Sequence, residues 1–426
     1  MDITTLYDAV FKRWSFNNPM YSKASFHTLI GQIIKEQTVN KGAVKVDARI
    51  NTAILQDSGS GKSTPSDFIT KLGEGLGLRI RTVDEFTDAS LLGTIEEVYE
   101  NVEGELVKDY AVNPGLLETS DILHWDEGST LFNPKPHQIS TLNFLQKALN
   151  PIGSQSNHIY KKLARGPEIN IYPTCSILLT TYYPENIVAK VAATGFLQRL
   201  LVVPRRLSTN DRELNAYHDI EVLGVEIDFE EGIGMLIDRL SEVRNFSTGE
   251  KIKFTPTIKP VLKNKVTGFL NLIKTPNERI SRLLHTFLPR YQNFLYLLSM
   301  HHASLRLDSV VKTQDVRYAN DLIENLFTSI ISWLESDTEL ADIPKREQLY
   351  LHKMFEAYKQ TQEETNDEFV QSSKFVKILE HKLSLTKPTI YSYINMFVDR
   401  GFIEKKKQGR SVSYKMERNT LRKTRV

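Results

Sequence analysis

A short apolar run, Thr52-Ala53-Ile54-Leu55-Gln56, opens into a turn of serine and glycine, Ser58-Gly59-Ser60-Gly61-Lys62-Ser63, and a helical pattern follows at once. Strand, glycine-rich turn and helix in that order restrict the chain to few architectures, because the turn aims successive backbone N–H groups at one point in front of a helix N-terminus. An anion fits there: Ser58 to Ser63 supply amides, Lys62 a charge, and Ser63 a hydroxyl for a divalent cation, with Thr64 next in line. The usual phosphate-loop pattern asks for a glycine five positions before Gly61, and Gln56 stands in that place. That first glycine eases the turn out of the strand and makes no obligatory ligand contact. Gln56 therefore weakens the motif without removing its chemistry.

Further short apolar runs follow. "RIRTVDEF" and "SDILHWDEGSTLF" each suggest a strand, the second stopping at Asp126-Glu127; "PTCSILLTTYYP" and "FLQRLLVVP" suggest two more, closed by Pro184 and Pro204. Strands separated by helical stretches imply an α/β sheet, mostly parallel, with its ligand at the carboxyl ends of the strands. Residues 1–46 read as a helical segment, with Leu6, Val10, Phe11, Phe26, Leu29, Ile30, Ile33 and Ile34 near helical spacing. The α/β core then spans 47–207 and a mainly helical region 208–340. From 345 to 426 a helix, a turn, a second helix (Lys387 to Arg400) and two short strands around "KKQGRS" have the order of a winged helix.

Asp126 and Glu127 extend the chemistry of the loop. At a strand end beyond such a loop, Asp126 would hold Mg²⁺ through water and Glu127 would orient an attacking water; the competing reading is a surface acidic pair capping the next helix.

Composition narrows the setting. No apolar run approaches the roughly 18 residues of a membrane span, and the N-terminus has scattered charges in place of a signal-peptide core. A single cysteine, Cys175, excludes an internal disulfide and a multi-thiolate zinc site, so a reducing cytoplasm is expected. Within a net charge of +2, residues 400–426 carry ten Lys or Arg and two Glu, leaving the rest of the chain about six charges negative. A basic end on an acidic body suggests a polyanion partner.

The order "GSGKS", "WDE", "SILLTTYYP", "GFLQRLLVV" and "LPRYQNFLYLLSMHHA" resembles the AAA+ ATPases, and more specifically the minichromosome maintenance (MCM) helicases and their viral and mobile-element relatives. The resemblance covers about residues 50–335. It implies an α/β fold with a P-loop ATPase core, a helical lid and a C-terminal winged-helix domain, with ATP and Mg²⁺ as cofactors. It also implies roles: Arg199 as an arginine finger reaching the neighbouring subunit's nucleotide, Arg290 as the sensor-2 arginine, and Thr181 as the sensor-1 contact, because Tyr183 holds the place where the family shows Asn. "NHIYKKLARGPEINIYP" falls where MCM helicases have a channel hairpin, which makes Lys161, Lys162 and Arg165 candidates for DNA contact. In the C-terminal unit Lys405, Lys406, Lys407 and Arg410 are the candidates. The oligonucleotide-binding N-terminal region of MCM helicases has no counterpart in the 46 residues that precede the core. His301-His302 lie in an apolar helix without acidic or thiol partners nearby and read as core or surface histidines, not as metal ligands.

Three functions follow as expectations. The first is a hexameric, ATP-hydrolysing DNA helicase acting in replication, translocating on single-stranded DNA and separating duplex, with a primase or polymerase as a further partner class and no membrane. The second is a replication initiator or loader that uses ATP as a switch. The third is a winged-helix DNA-binding regulator with a degenerate ATPase core.

Overall fold

The computed structural model describes residues 2–14, 19–57, 63–102, 105–128, 139–162, 168–183, 195–206, 208–221, 230–274, 278–338, 345–399, 402–409 and 411–416. The chain divides into two compact units, Met1–Leu334 and Glu335–Val426.

The first unit begins with helices α1 (Ile3–Trp14) and α2 (Pro19–Ile33) and an antiparallel hairpin, β1 (Thr38–Lys41) and β2 (Val44–Asp47). The helical reading of the N-terminal segment thus ends at Ile33. Beyond it, valines alternate with polar residues at Val39, Val44 and Val46, and Gly42 turns the chain at φ +64, a two-residue period that suits strands. Nor is this segment separate. Leu29, Ile30 and Phe26 are fully buried in the same core as the sheet, and Thr28 Oγ1 donates to Thr52 Oγ1 at 2.7 Å. At Gly31 a Cβ would come within 2.8 Å of the Ala48 carbonyl oxygen and the Ile50 nitrogen, so glycine permits the helix to lie directly on the backbone entering the sheet.

That sheet holds β3 (Thr52–Gln56), β4 (Ile80–Val83), β7 (Ile122–Trp125), β10 (Ser176–Tyr182) and β11 (Leu201–Arg205), in the order β11-β3-β10-β7-β4. Every pairing is parallel. β3 and β7 are buried at every position, as strands covered on both faces must be, which is why they read as unbroken apolar runs. Helix α3 (Ser63–Gly75) follows β3. Pro204 does not close the last strand; β11 runs through it to Arg205. It tolerates proline because it is an edge strand, and the helix Glu278–Leu305 shields its start, the Tyr291 hydroxyl accepting from Val202 N–H at 3.2 Å. The segment that enters β3 sets the register. Asn51 accepts at its side chain from Ile177 N–H and at its carbonyl from Leu201 N–H, both 2.7 Å. Arg49, buried beside Asp47, donates to the carbonyls of Asn150 and Cys175.

Between β4 and β7 lies an element that the apolar pattern did not announce. Short helices α4 (Asp88–Leu92) and α5 (Leu116–Thr119) flank a long antiparallel hairpin, β5 (Gly93–Val102) with β6 (Glu105–Pro114). After β7 come α6 (Ile139–Ala148) and a further hairpin, β8 (Ile159–Lys162) with β9 (Glu168–Ile171). The helices Thr209–Glu221, Glu230–Gly249, Lys259–Leu272, Glu278–Leu305 and Thr313–Thr338 then complete the helical region.

The second unit has its own core around Phe375, Leu379, Ile394, Phe397 and Tyr414. Helix Lys345–Thr365 leads to β12 (Val370–Gln371), and helices Ser372–Leu383 and Lys387–Asp399 follow, separated by a turn at Ser384 in the left-handed region, φ 51. Strands β13 (Ile403–Gln408) and β14 (Ser411–Met416) form an antiparallel hairpin, and the three strands make one sheet in the order β12-β14-β13.

Candidate functional site

The loop Ser58, Gly59, Ser60, Gly61 and Lys62 lies outside the described residues, as does the side chain of Ser63, which opens α3. What surrounds the loop is described. Gln56 is the buried last residue of β3, opposite Tyr182 on one side and Arg205 on the other, and its carbonyl accepts from Tyr183 N–H at 3.1 Å. Thr64 stands half-buried in the first turn of α3. Asp57, just past the strand, is held by Arg212 at 3.0 Å. Helix α3 passes close to Asp126: burial, and then the charge of Asp126, push the Asp67 carboxyl above its usual range. The strand, the helix and the acidic strand end therefore converge at the carboxyl edge of the sheet.

Asp126 and Glu127 follow the last residue of β7, and β10 holds both. The Thr180 hydroxyl donates to Asp126 Oδ1 at 2.6 Å. The Tyr182 hydroxyl donates to Glu127 Oε1 at 2.7 Å. Glu127 has φ 50, in the left-handed region that a residue with a Cβ seldom adopts. Behind them His124 bridges Thr180 and Thr82, at 3.3 and 3.2 Å; burial holds it below its usual range against the opposing charges of Asp126 and Asp84.

Thr181 stands elsewhere. Its side chain is fully buried, and its Oγ1 has no hydrogen-bond partner among the described residues. Thr180 and Tyr182 are the residues of β10 that touch the carboxylates, and motif order missed them. Strand alternation carries the signal, because residues two apart share a face and the one between them points away.

The arginines lie at the other end of the sheet. Arg199 ends a 3₁₀ turn, Leu197–Arg199, immediately before β11, and the parallel register sets Leu201 beside Thr52, the first residue of β3. Asp126 follows β7 at the strands' carboxyl ends. Strands of this length separate the two groups by roughly 15–20 Å. Arg199 and Arg290 line one cleft with Arg49, Asn293 and Phe294, and with Asp47, whose carboxylate is paired with Arg49. Arg199 donates to Asn150 Oδ1 at 3.2 Å and to the Gly195 carbonyl. Burial lowers the pKa of both guanidinium groups, and the charge of Arg290 adds to the effect on Arg199. Neither arginine meets a carboxylate among the described residues. Two half-buried cations bonded to no carboxylate among the described residues, beside an Asp47 already held by Arg49, make a receptive site for an anion.

Of the hairpin candidates, Lys161 is engaged: its ammonium lies 3.0 Å from Asp88 Oδ2 and over the Phe144 ring. The side chain of Lys162, and Arg165 entirely, lie outside the described residues. Lys405, Lys406 and Lys407 stand exposed along β13, with Lys405 reaching Asn395 Oδ1 at 3.4 Å and Lys406 over the Phe369 ring; Arg410 lies outside the described residues. His301 is a core residue, bonded to the Ala48 carbonyl, and His302 pairs with Asp315.

The carboxylate end offers oxygen donors in Asp126 and Glu127, which suit a hard cation such as Mg²⁺. Among the described residues no group of three or more His, Cys, Asp or Glu could hold a metal alone, so a cation here would complete its shell with phosphate and water. Among the described residues, no helix is long and apolar enough to cross a membrane. No protein-family model matches this chain, and no curated protein matches it.

Proposed function

We propose that this chain is an AAA+ type ATPase resembling the MCM helicases, a motor that works as a ring on DNA with ATP between adjacent copies. One observation carries the proposal: the carboxylates of Asp126 and Glu127 and the arginine pair Arg199 and Arg290 occupy opposite ends of the same parallel sheet. Within one copy Arg199 cannot reach a phosphate held near Asp126. A second copy that sets its arginine cleft against the first copy's loop would complete the site. Repeated head to tail, such a contact generates a ring when the rotation closes.

In this site the loop amides and Lys62 would bind the phosphates. Asp126 and Ser63 would hold Mg²⁺, which supplies charge neutralisation for the transferring phosphoryl group. Glu127 would orient the attacking water, and Arg199 with Arg290 would stabilise the charge that develops in the transition state. DNA would meet the β8–β9 hairpin and the C-terminal unit, read as a winged helix. A nucleotide-switched initiator or loader is favoured by one feature, the engagement of Lys161 by Asp88, which removes a cation from the hairpin's reach.

Two measurements on the full chain test the proposal: ATP turnover with sedimentation in the presence of a non-hydrolysable analogue, and unwinding of forked DNA. Hydrolysis by an assembly, with strand separation, is expected. Turnover by a monomer would overturn the shared site. Turnover by an assembly that never separates strands would transfer the assignment to the initiator.

A further inference from the structure

We propose that Thr180, backed by His124 and Thr82, is a positioning residue that fixes the Asp126 carboxylate for a divalent cation; the role rests on reading Asp126 as that cation's contact. β7 and β10 are neighbours in parallel register, with Leu179 beside Trp125, so the next residue on each strand, Thr180 and Asp126, come level where β7 ends. Asp126 Oδ1 accepts twice, from the Thr180 hydroxyl at 2.6 Å and from Glu127 N–H at 3.0 Å. Oδ2 receives no hydrogen bond from any described residue. One oxygen is anchored, the other is open, and the plane of the carboxylate is set.

The chain behind Thr180 has a fixed direction. A hydroxyl has one proton, and Thr180 spends it on Asp126. At the 3.3 Å contact with His124 Nε2 the Thr180 oxygen must therefore accept and the ring nitrogen donate, whichever charge the imidazole carries. The other ring nitrogen meets the Thr82 hydroxyl at 3.2 Å, on the outermost strand of the sheet. Three strands thus contribute one group each to a line that ends on the carboxylate. Hydrogen bonds aligned in this way polarise one another, and an O–H to carboxylate bond of this length is of the strong, charge-assisted kind. His124 is the polar member of a strand otherwise made of Ile122, Leu123 and Trp125, and it is 3 % exposed. Packing alone would be served by an apolar residue there; a directed donor to Thr180 would not.

Groups that orient a metal ligand change metal affinity by roughly 10–100-fold when removed. The test uses the full chain saturated with a non-hydrolysable ATP analogue. Mn²⁺ stands in for Mg²⁺, and the free ion is read by electron paramagnetic resonance. Thr180→Val keeps the shape and removes the donor, so Mn²⁺ affinity should fall by about tenfold or more, with analogue binding in EDTA unchanged. Thr180→Ser restores the hydroxyl and should restore the affinity. Wild-type Mn²⁺ affinity in Thr180→Val, or no recovery in Thr180→Ser, would overturn the proposal. Should Thr180→Val fail to fold, Thr82→Val at the outer end takes its place, with a loss of about threefold expected and an unchanged affinity overturning it. Asp126→Asn separates the two levels: if it too leaves Mn²⁺ affinity intact, the reading of Asp126 itself is wrong, whereas loss there with none in Thr180→Val removes only the positioning role.

Discussion

Arg290 lies beside Arg199 in one half-buried cleft, where the carboxylate of Asp47 is held by Arg49 and, among the described residues, neither of the two like charges is bonded to a carboxylate. Repulsion and lost hydration make that arrangement costly for an isolated copy. An anion brought by a neighbouring copy would relieve both. Arg199→Ala should therefore bind ATP nearly as the wild type does and lose hydrolysis by about 10³-fold. Lys62→Ala should abolish turnover from the other side of the interface. Mixing the two inactive variants is the sharper measurement, because some interfaces in mixed assemblies pair an intact Lys62 with an intact Arg199. Recovery of ATPase activity on mixing is expected; its absence at every ratio would place Arg199 outside a shared site.

Glu127 sits in the left-handed region with its carboxylate bonded to the Tyr182 hydroxyl. Glu127→Gln should keep nucleotide bound and slow hydrolysis by roughly 10²–10⁴-fold, the usual contribution of a positioned acid–base group. Filter binding with labelled ATP and phosphate release, measured on one preparation, separates the two effects. Normal release by Glu127→Gln would remove it from the chemistry.

Stability should depend on pH through a pair of buried imidazoles. His27 Nδ1 and His301 Nδ1 are 3.2 Å apart. His301 Nε2–H donates to the Ala48 carbonyl, so its Nδ1 accepts from His27 Nδ1–H, and His27 Nε2 accepts from Tyr318. Both rings are neutral in this arrangement. Burial, with the charges of His301, His302 and Lys23, drives the pKa of His27 well below its usual value, and burial takes His301 down to about 4 against the Ala48 hydrogen bond. Unfolded, both rings titrate near 6.5. Between those values the unfolded chain binds more protons than the folded one, so stability is full above about pH 6.5 and falls as the pH drops toward 4. The loss is about 1.4 kcal/mol per pH unit for each imidazole. All three tryptophans, Trp14, Trp125 and Trp333, belong to the first unit, so their fluorescence in urea follows it alone. A midpoint that stays constant from pH 8 to 5 would contradict the pair, and His301→Gln should flatten the slope by about one proton.

The C-terminal unit carries exposed Lys405, Lys406 and Lys407 on β13, next to the helix Lys387–Asp399. If this unit grips duplex DNA, its affinity should fall with salt at a slope near −0.9 per phosphate contact. Replacing the three lysines and Arg410 with alanine in the full chain should flatten that slope by about two to four units, with the ATPase rate in the absence of DNA unchanged. A slope equal to the wild type's would assign those charges to something other than phosphate.

Local patterns determined a good deal by themselves. Five apolar runs became the five strands of one parallel sheet, and Asp126-Glu127 stood at a strand end, because alternation, turn residues and buried-strand composition act over a few neighbouring residues. The same locality explains the hairpin β1–β2, whose alternating valines were legible yet outweighed by the helical pattern before them. Tertiary structure alone decided the rest. Strand order put Thr180 and Tyr182 on the carboxylates and left Thr181 facing the opposite side. The pairing of His27 with His301 spans 274 positions, and Arg199 and Arg290 share a cleft only because Tyr291 docks under the first residues of β11. Contacts of that kind arise from how finished elements pack, and no short-range periodicity encodes which distant side chains will meet.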